Sequence, residues 1–516
     1  MVERVLIVLF AAALGVASPA VAQTEESANA DAAPESSESG DDGGDEAADG
    51  DATSAEVSED SGDEVSEDSG DEVSEDSGDG AGDPSDEAAG AASLPERAIP
   101  DYDGRGEEPL QPGEAALWVP RIVFFPFWFV AEYVLRRPLA FLISGAEEKE
   151  IPERIVNFFT FGPEGNVTLA PTFSFDFGFR PNIGLYFAYN ELGGNEALAL
   201  RAGASFGGPQ WIAGRVALRV EKPDGDTSFE IGFNATKRPD GLFYGLGSQI
   251  SQENRSRYDW VGYVGHMTLM QRLMRTSSFA VGVEIVDRQF GDDIIEGDYS
   301  VEERVAAGQF ELPPGYAQGY SIARQRAHLI LDNRRSRPAP GSGVRLEADY
   351  ELGFDLQNGP NRNLWVTWST SFGAYWDISD HQHVVSLTAS LIAAETLSGQ
   401  VPFFEQPNLS GSAGTMRGFI SRYLSGDSGA SLLLRYDWPI WVFLDGTIQV
   451  AYGNVYDGRF ADFSLKNNRF SASIGFAAVD KRDHFFEFLV GFGTETVAQG
   501  AQVESFRLMV GGTQDF

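Results

Sequence analysis

Cysteine is absent from all 516 residues. Disulfides, zinc–thiolate sites and lipid attachment to an N-terminal cysteine are excluded at once. Basic charge is scarce too: 37 Lys and Arg stand against 78 Asp and Glu, for a formal net charge of −41. The deficit is local, because residues 23–94 hold no Lys or Arg and 26 of the acidic residues. This acidity argues against a nucleic-acid partner, since duplex binding needs Lys and Arg to neutralise phosphates and release counterions. Long uninterrupted apolar runs are also missing. The run over residues 5–16 is well short of the ~20 residues a spanning helix needs. With Arg4 before it and Ala20-Val21-Ala22 after it, residues 1–22 read as a cleaved signal peptide, which implies export.

Residues 23–94 consist mainly of Asp, Glu, Ser, Gly and Ala, with EVSEDSGD repeated in tandem from Glu56, Glu64 and Glu72. Such a tract buries too little apolar surface to offset the entropy of ordering, so a disordered, self-repelling spacer is expected. A calcium-binding repeat would need a defined turn and coordinating carbonyls, which the pattern does not supply. Residues 117–143 are the most apolar stretch of the mature chain, but Pro120, Arg121, Pro126, Glu132, Arg136 and Pro138 interrupt them. Charges and missing backbone donors are costly in lipid. Residues 95–165 are therefore expected to form a periplasmic or interfacial amphipathic segment, or a plug.

From Asn166 onward the period becomes two. Val167, Leu169, Pro171, Phe173, Phe175, Phe177 and Phe179 are apolar, while Thr168, Ala170, Thr172, Ser174, Asp176, Gly178 and Arg180 alternate with them. The same alternation recurs from Val344 to Phe354, with Arg345, Glu347, Asp349 and Glu351 in the opposite phase. Sixteen candidate strands begin near residues 166, 183, 196, 211, 227, 258, 277, 322, 343, 363, 383, 429, 447, 469, 484 and 503. Long connections, roughly 236–257, 288–321, 396–428 and 457–468, all follow odd-numbered strands, as short turns at one barrel end and long loops at the other require. Trp365, Trp368, Trp376, Trp438 and Trp441 fall near strand ends, where aromatic girdles belong. The fold class expected is all-β: a 16-stranded antiparallel transmembrane β-barrel over residues 166–516, preceded by the disordered acidic segment.

Several stretches resemble the bacterial surface antigen superfamily of outer-membrane barrels, which includes the insertases BamA and TamA. Met416-Arg417-Gly418-Phe419, in the long loop after the eleventh strand, resembles the Arg-Gly-Phe/Tyr tip of that family's sixth outer loop. Phe243-Tyr-Gly-Leu-Gly247 with Tyr258, and Asp332-Asn-Arg334 with Pro340 and Gly343, resemble two further family motifs. The resemblance covers about 350 residues. It implies that the loop arginine enters the lumen and pairs with a carboxylate on the twelfth or thirteenth strand. This sequence has Arg435 and Ala451 where acidic residues are usual, so Asp437 becomes the favoured partner of Arg417, with Asp445 and Glu487 as alternatives. No stretch resembles the family's periplasmic POTRA modules. Phe516 resembles the family's terminal aromatic assembly signal.

Chemistry is sparse. Gly426-Asp-Ser-Gly429 has the look of a serine-nucleophile loop, but a nucleophile needs a base and an orienting group. His381 and His383 lack a third metal ligand. The chain is expected not to be an enzyme, and to need neither cofactor nor metal. The function expected is insertion or transport across the outer membrane, with membrane lipid and client outer-membrane or secreted proteins as partners. The alternatives are a passive porin-like channel and a structural surface protein. The seam between the first and sixteenth strands is expected to be the weakest: Pro171 lacks an N–H, and Gly511 and Gly512 opposite it add no side-chain packing.

Overall fold

A computed structural model describes residues 158–513 except 163–164, 224, 249, 275, 294–296, 335–340, 358–361, 379–381, 442–443 and 479–484. The expected signal peptide and spacer, most of segment 95–165, and Phe516 lie outside the described residues.

The chain enters through a two-residue strand, β1 (Thr160–Phe161), paired to the start of β2 (Val167–Asp176). There follow β3 (Asn182–Tyr189), β4 (Leu198–Gly208), β5 (Trp211–Glu221), β6 (Thr227–Phe243), β7 (Ser256–Arg272), β8 (Ser278–Gly291) and β9 (Tyr320–Asp332). The second half comprises β10 (Gly343–Asp355), β11 (Leu364–Asp377), β12 (Val384–Ser398), β13 (Ser428–Trp441), β14 (Leu444–Tyr456), β15 (Arg469–Ala478), β16 (Phe485–Thr496) and β17 (Val503–Thr513). Strands β2 to β17 pair antiparallel with their chain neighbours, and β17 returns to β2, closing a sixteen-stranded barrel. The strand starts read from the sequence agree closely, the widest gap being residue 447 against Leu444.

Period two explains the wall. Ile183, Leu185, Phe206, Ile212 and Phe372 are each more than half exposed on its outside. Apolar surface so extensive is stable only against lipid, and closure leaves no unpaired sheet edge to desolvate there. On β10, Val344 and Tyr350 are exposed. The opposite phase carries the charges, and Glu351 pairs with Arg326 of β9 at 2.9 Å. The four long loops, 244–255, 292–319, 399–427 and 457–468, share one end of the barrel. The first is shorter than expected because β6 continues through Phe243.

The buried apolar core lies inside the mouth of the barrel, between loops. Met416, Phe419, Tyr423 and Leu424 of loop 399–427 pack with Leu242, Tyr244, Ala451 and Val455. Two expectations need correction. Phe179 does not continue the outward face: β2 ends at Asp176, the backbone turns at Gly178 (φ 92°), and Phe179 packs against this inner core. Of the five tryptophans, Trp376 is outward and 47% exposed, whereas Trp365 and Trp438 are buried. Trp365 is paired with Gly353 and Trp438 with Gly446, and each indole lies over that glycine, where a Cβ would stand 2.3 Å and 2.2 Å from the ring. An aromatic covering a cross-strand glycine packs the gap left by the missing side chain.

Candidate functional site: the lumen loop and the barrel seam

Loop 399–427 joins β12 to β13 and folds inward because its apolar side chains have no other place to be buried. Met416, Phe419, Tyr423 and Leu424 are wholly buried. Internal bonds shape the hairpin: Leu409 N donates to Leu424 O (3.0 Å), and Met416 N donates to Leu409 O (2.8 Å). At its tip the Gly418 N–H donates to Ser471 Oγ of β15 at 2.8 Å, and the Gly418 carbonyl accepts from Ser505 Oγ of β17 at 3.2 Å. Between those strands lies β16, whose Gly491 and Gly493 leave room for the loop backbone and for the Phe419 ring. A Cβ on Gly493 would stand 2.4 Å from that ring. Phe419 stacks on Tyr423, with centroids 5.2 Å apart.

Arg417 reaches along the wall to Glu487 of β16. Nη1 and Nη2 donate to Oε1 and Oε2, each at 2.6 Å, with the two side chains 14% and 8% exposed. Such a bidentate, charge-assisted pair fixes both direction and distance. The partner favoured from the sequence was Asp437, and the structure corrects it to the alternative Glu487. The tip lies against β15, β16 and β17, which brings Glu487 in line with Arg417, while Asp437 is already neutralised by Arg435 at 2.7 Å. Asp445 is not the partner either.

Two further networks hold the loop. Tyr423 donates to Glu504 of β17, which also pairs with the buried Arg469 of β15. Burial and then the Glu504 charge push the Tyr423 hydroxyl above its usual range, so it remains a donor. Toward the loop end of the barrel, Glu405 receives Arg324 Nη1 at 2.6 Å and lies 3.6 Å from Arg288 Nη1. Burial opposes its charge, but Arg288 and Arg324, with Tyr320 and Arg422, outweigh that cost and hold its carboxyl down at about 2. Arg288 and Arg422 both stack on the Phe404 ring, 3.9 Å and 4.0 Å from its centroid.

The seam is short. Among the described residues the ladder between β17 and β2 comprises Met509–Asp176, Val510–Phe175 and Gly511–Ser174, three residue pairs, and Phe177 N donates to Leu508 O at 2.9 Å just beyond it. The β3–β4 ladder, for comparison, runs over seven. Pro171 and Gly511 do not face each other as the sequence reading had it. Gly511 is opposite Ser174, and Pro171, further toward the other rim, pairs with Leu185 of β3. Gly511 also does more than omit a side chain. Its φ is 144° and a Cβ there would meet the Phe173 carbonyl oxygen at 2.6 Å, so glycine permits this rung of the seam. Gly512 pairs with Phe486 of β16.

The other motifs fall into place around the loop. Gly247 N donates to Ser425 O at 2.9 Å, which ties the Phe243–Gly247 stretch to loop 399–427. Asp332 and Arg334 pair at 2.6 Å at the opposite end, with Arg334 over Tyr375, while Pro340 is outside the described residues. Ser428 is wholly buried, its Oγ accepting from Phe460 N at 3.0 Å. His383 Nδ1 lies 2.8 Å from the Tyr436 hydroxyl. Sequence reasoning missed Gly491, Gly493, Glu504, Arg469, Ser505, Arg507 and Asp176 as parts of this site. A signal existed for two of them: Ser505 and Arg507 occupy the phase opposite Phe506, Leu508 and Val510, and so point inward.

A closed barrel with an apolar outer wall and a loop seated in its lumen defines a transmembrane β-barrel of the kind found in outer membranes. No family model matches the chain, and no curated protein does. Among solved structures, the chain is similar to BamA from Haemophilus ducreyi lacking POTRA domains 1–3: 15% identity, 67% of this chain, 70% of that one, TM-score 0.47. It is also similar to CdiB from Acinetobacter baumannii (11% identity, 67% of this chain and 59% of that one, TM-score 0.41). CdiB from Escherichia coli gives 14% identity over 66% of this chain and 62% of that one, with a TM-score of 0.42. The chain thus spans about three fifths of either CdiB.

Proposed function

We propose that this chain resides in the outer membrane and acts in the insertion of proteins into it or their transport across it. Clients would be outer-membrane or secreted proteins, and the surrounding lipid is the other partner. In this reading the chain performs no catalysis and needs no cofactor. The observation that carries it is the seam, which among the described residues is laddered by three pairs where the β3–β4 ladder has seven. A passive channel needs a uniformly closed wall and an open lumen, whereas here a buried loop occupies the mouth of the lumen beside a seam with three ladder pairs among the described residues. The Arg417-Gly418-Phe419 resemblance agrees with this reading.

The absence of cysteine makes the test direct. Phe175→Cys with Val510→Cys, paired across the seam, is compared oxidised and reduced in an assay of client-barrel assembly in proteoliposomes, beside the pair Ile231→Cys with Met267→Cys across β6–β7. Oxidation at the seam is expected to abolish activity reversibly, and oxidation at the control pair to leave it intact. Unchanged activity with the seam crosslinked, together with a stable conductance in single-channel recordings, would establish the porin-like alternative instead.

A further inference from the structure

Arg507 lies on β17 with none of its side chain exposed, yet its guanidinium serves two segments far from it in the chain. Across the seam, Nε and Nη2 donate to Oδ1 and Oδ2 of Asp176, the last residue of β2, at 2.8 Å each. Toward the loop, Nη1 donates to the Arg417 carbonyl at 3.2 Å, and Nη2 donates to Ser412 Oγ at 2.9 Å. One buried cation is therefore shared between the strand that closes the barrel and the tip that fills it.

The energetics of that sharing have a definite sign. If β2 leaves, Arg507 keeps only neutral acceptors in a buried place, which costs far more than parting two solvated ions. If the loop leaves, the guanidinium loses two acceptors, water enters, and the pair with Asp176 is screened. Each closed element thus stabilises the other through the same side chain.

We infer that Arg507 is a positioning residue that couples seating of the loop to closure of the β2–β17 seam, so that withdrawing the Arg417-Gly418-Phe419 tip loosens the seam and parting the seam loosens the tip. The functional meaning of this coupling rests on the reading of the seam as the working element. The coupling itself is a property of the barrel and is measured without any client.

The experiment uses the full chain in proteoliposomes with Phe175→Cys and Val510→Cys as the seam reporter, and follows the rate of disulfide formation against labelling by a bulky maleimide. Glu487→Gln serves to loosen the tip from β16, which is neither seam strand, and a direct effect through its cross-strand neighbour Gly511 would persist in the R507K background. With Arg507 present, Glu487→Gln is expected to shift the balance from disulfide toward labelling by about threefold or more, within the range for residues in one hydrogen-bonded network. Arg507→Lys retains a cation for Asp176 but not the planar fork that also holds the loop. In that background the seam is expected to crosslink near the original rate and to respond no further to Glu487→Gln. Asp176→Asn removes the shared ion pair from the β2 side and is expected to abolish the response as well, so the test survives one variant failing to insert. An unchanged seam on Glu487→Gln with Arg507 intact, or an equal response in the R507K background, overturns the inference. Should the coupling hold while a locked seam still assembles clients, the coupling stands and the proposed function falls.

Discussion

Gly491 of β16 lies directly beneath Gly418 at the loop tip: a Cβ built on Gly491 would stand 2.8 Å from the Gly418 Cα, and one on Gly418 would stand 2.1 Å from the Phe492 carbonyl oxygen. The two glycines let a loop backbone rest on a strand backbone, and Ser471 and Ser505 then bond both polar groups of Gly418. Gly418→Ala or Gly491→Val should unseat the tip, at the ~1–3 kcal/mol typical of overpacking. The check is limited proteolysis of folded barrel in detergent, where cleavage within residues 399–427 should rise in both variants. A protected loop in either would contradict the close approach.

The Arg417–Glu487 pair joins a buried carboxylate to a largely buried guanidinium, so removing one partner should be worse than removing both. Arg417→Met is expected to cost about 3–5 kcal/mol, because Glu487 is left charged without its partner. Adding Glu487→Gln should recover part of that loss. Urea unfolding followed by tryptophan fluorescence gives the double-mutant cycle, and purely additive losses would show that the two side chains do not act as a pair.

Glu405 provides a pH dependence with a fixed sign. Its carboxyl is lowered from 4.5 to about 2 in the folded protein, so its stabilising contribution is complete above the ordinary value and is lost as pH falls from there toward 2. Compared with Glu405→Gln, the native chain should hold its advantage in unfolding temperature at pH 7 and pH 6, then lose it progressively below about pH 4.5. An advantage that is constant down to pH 3 would mean that the Glu405 charge does not carry it.

Gly511→Ala should open the seam where Gly214→Ala leaves its own ladder unchanged. The first places a Cβ 2.6 Å from the Phe173 carbonyl oxygen at φ 144°, while the nearest atom to a Cβ on Gly214 is 4.0 Å away. Amide hydrogen exchange at Ser174 and Phe175 is the readout. Faster exchange is expected only in the Gly511 variant.

If Phe516 serves as the assembly signal that the resemblance implies, its deletion should lower insertion in cells more than refolding in detergent. Comparing heat-modifiable band shifts from membranes with those from refolded protein separates recognition from stability. Equal losses in both would mark Phe516 as an ordinary strand residue.

The wall of this barrel was legible in the sequence because a strand's faces alternate residue by residue, and only lipid outside and polar side chains inside reconcile that alternation with closure. Val344 to Phe354 carried the phase unaided, and the long loops after every second strand set which end was which. The inward loop was visible through Arg417-Gly418-Phe419 and the apolar side chains around it. Its partner was not, because Asp437, Asp445 and Glu487 all offered a carboxylate. The choice depended on the tip settling over Gly491 and Gly493, and on Arg435 having already neutralised Asp437. The seam shows the same division. A proline and a glycine pair marked β2 and β17 as poor partners, but strand pairing between residues more than three hundred apart has no local code. Register alone placed Gly511 opposite Ser174 rather than Pro171, and the closing of the barrel alone brought Arg507 to Asp176 and the Arg417 carbonyl at once.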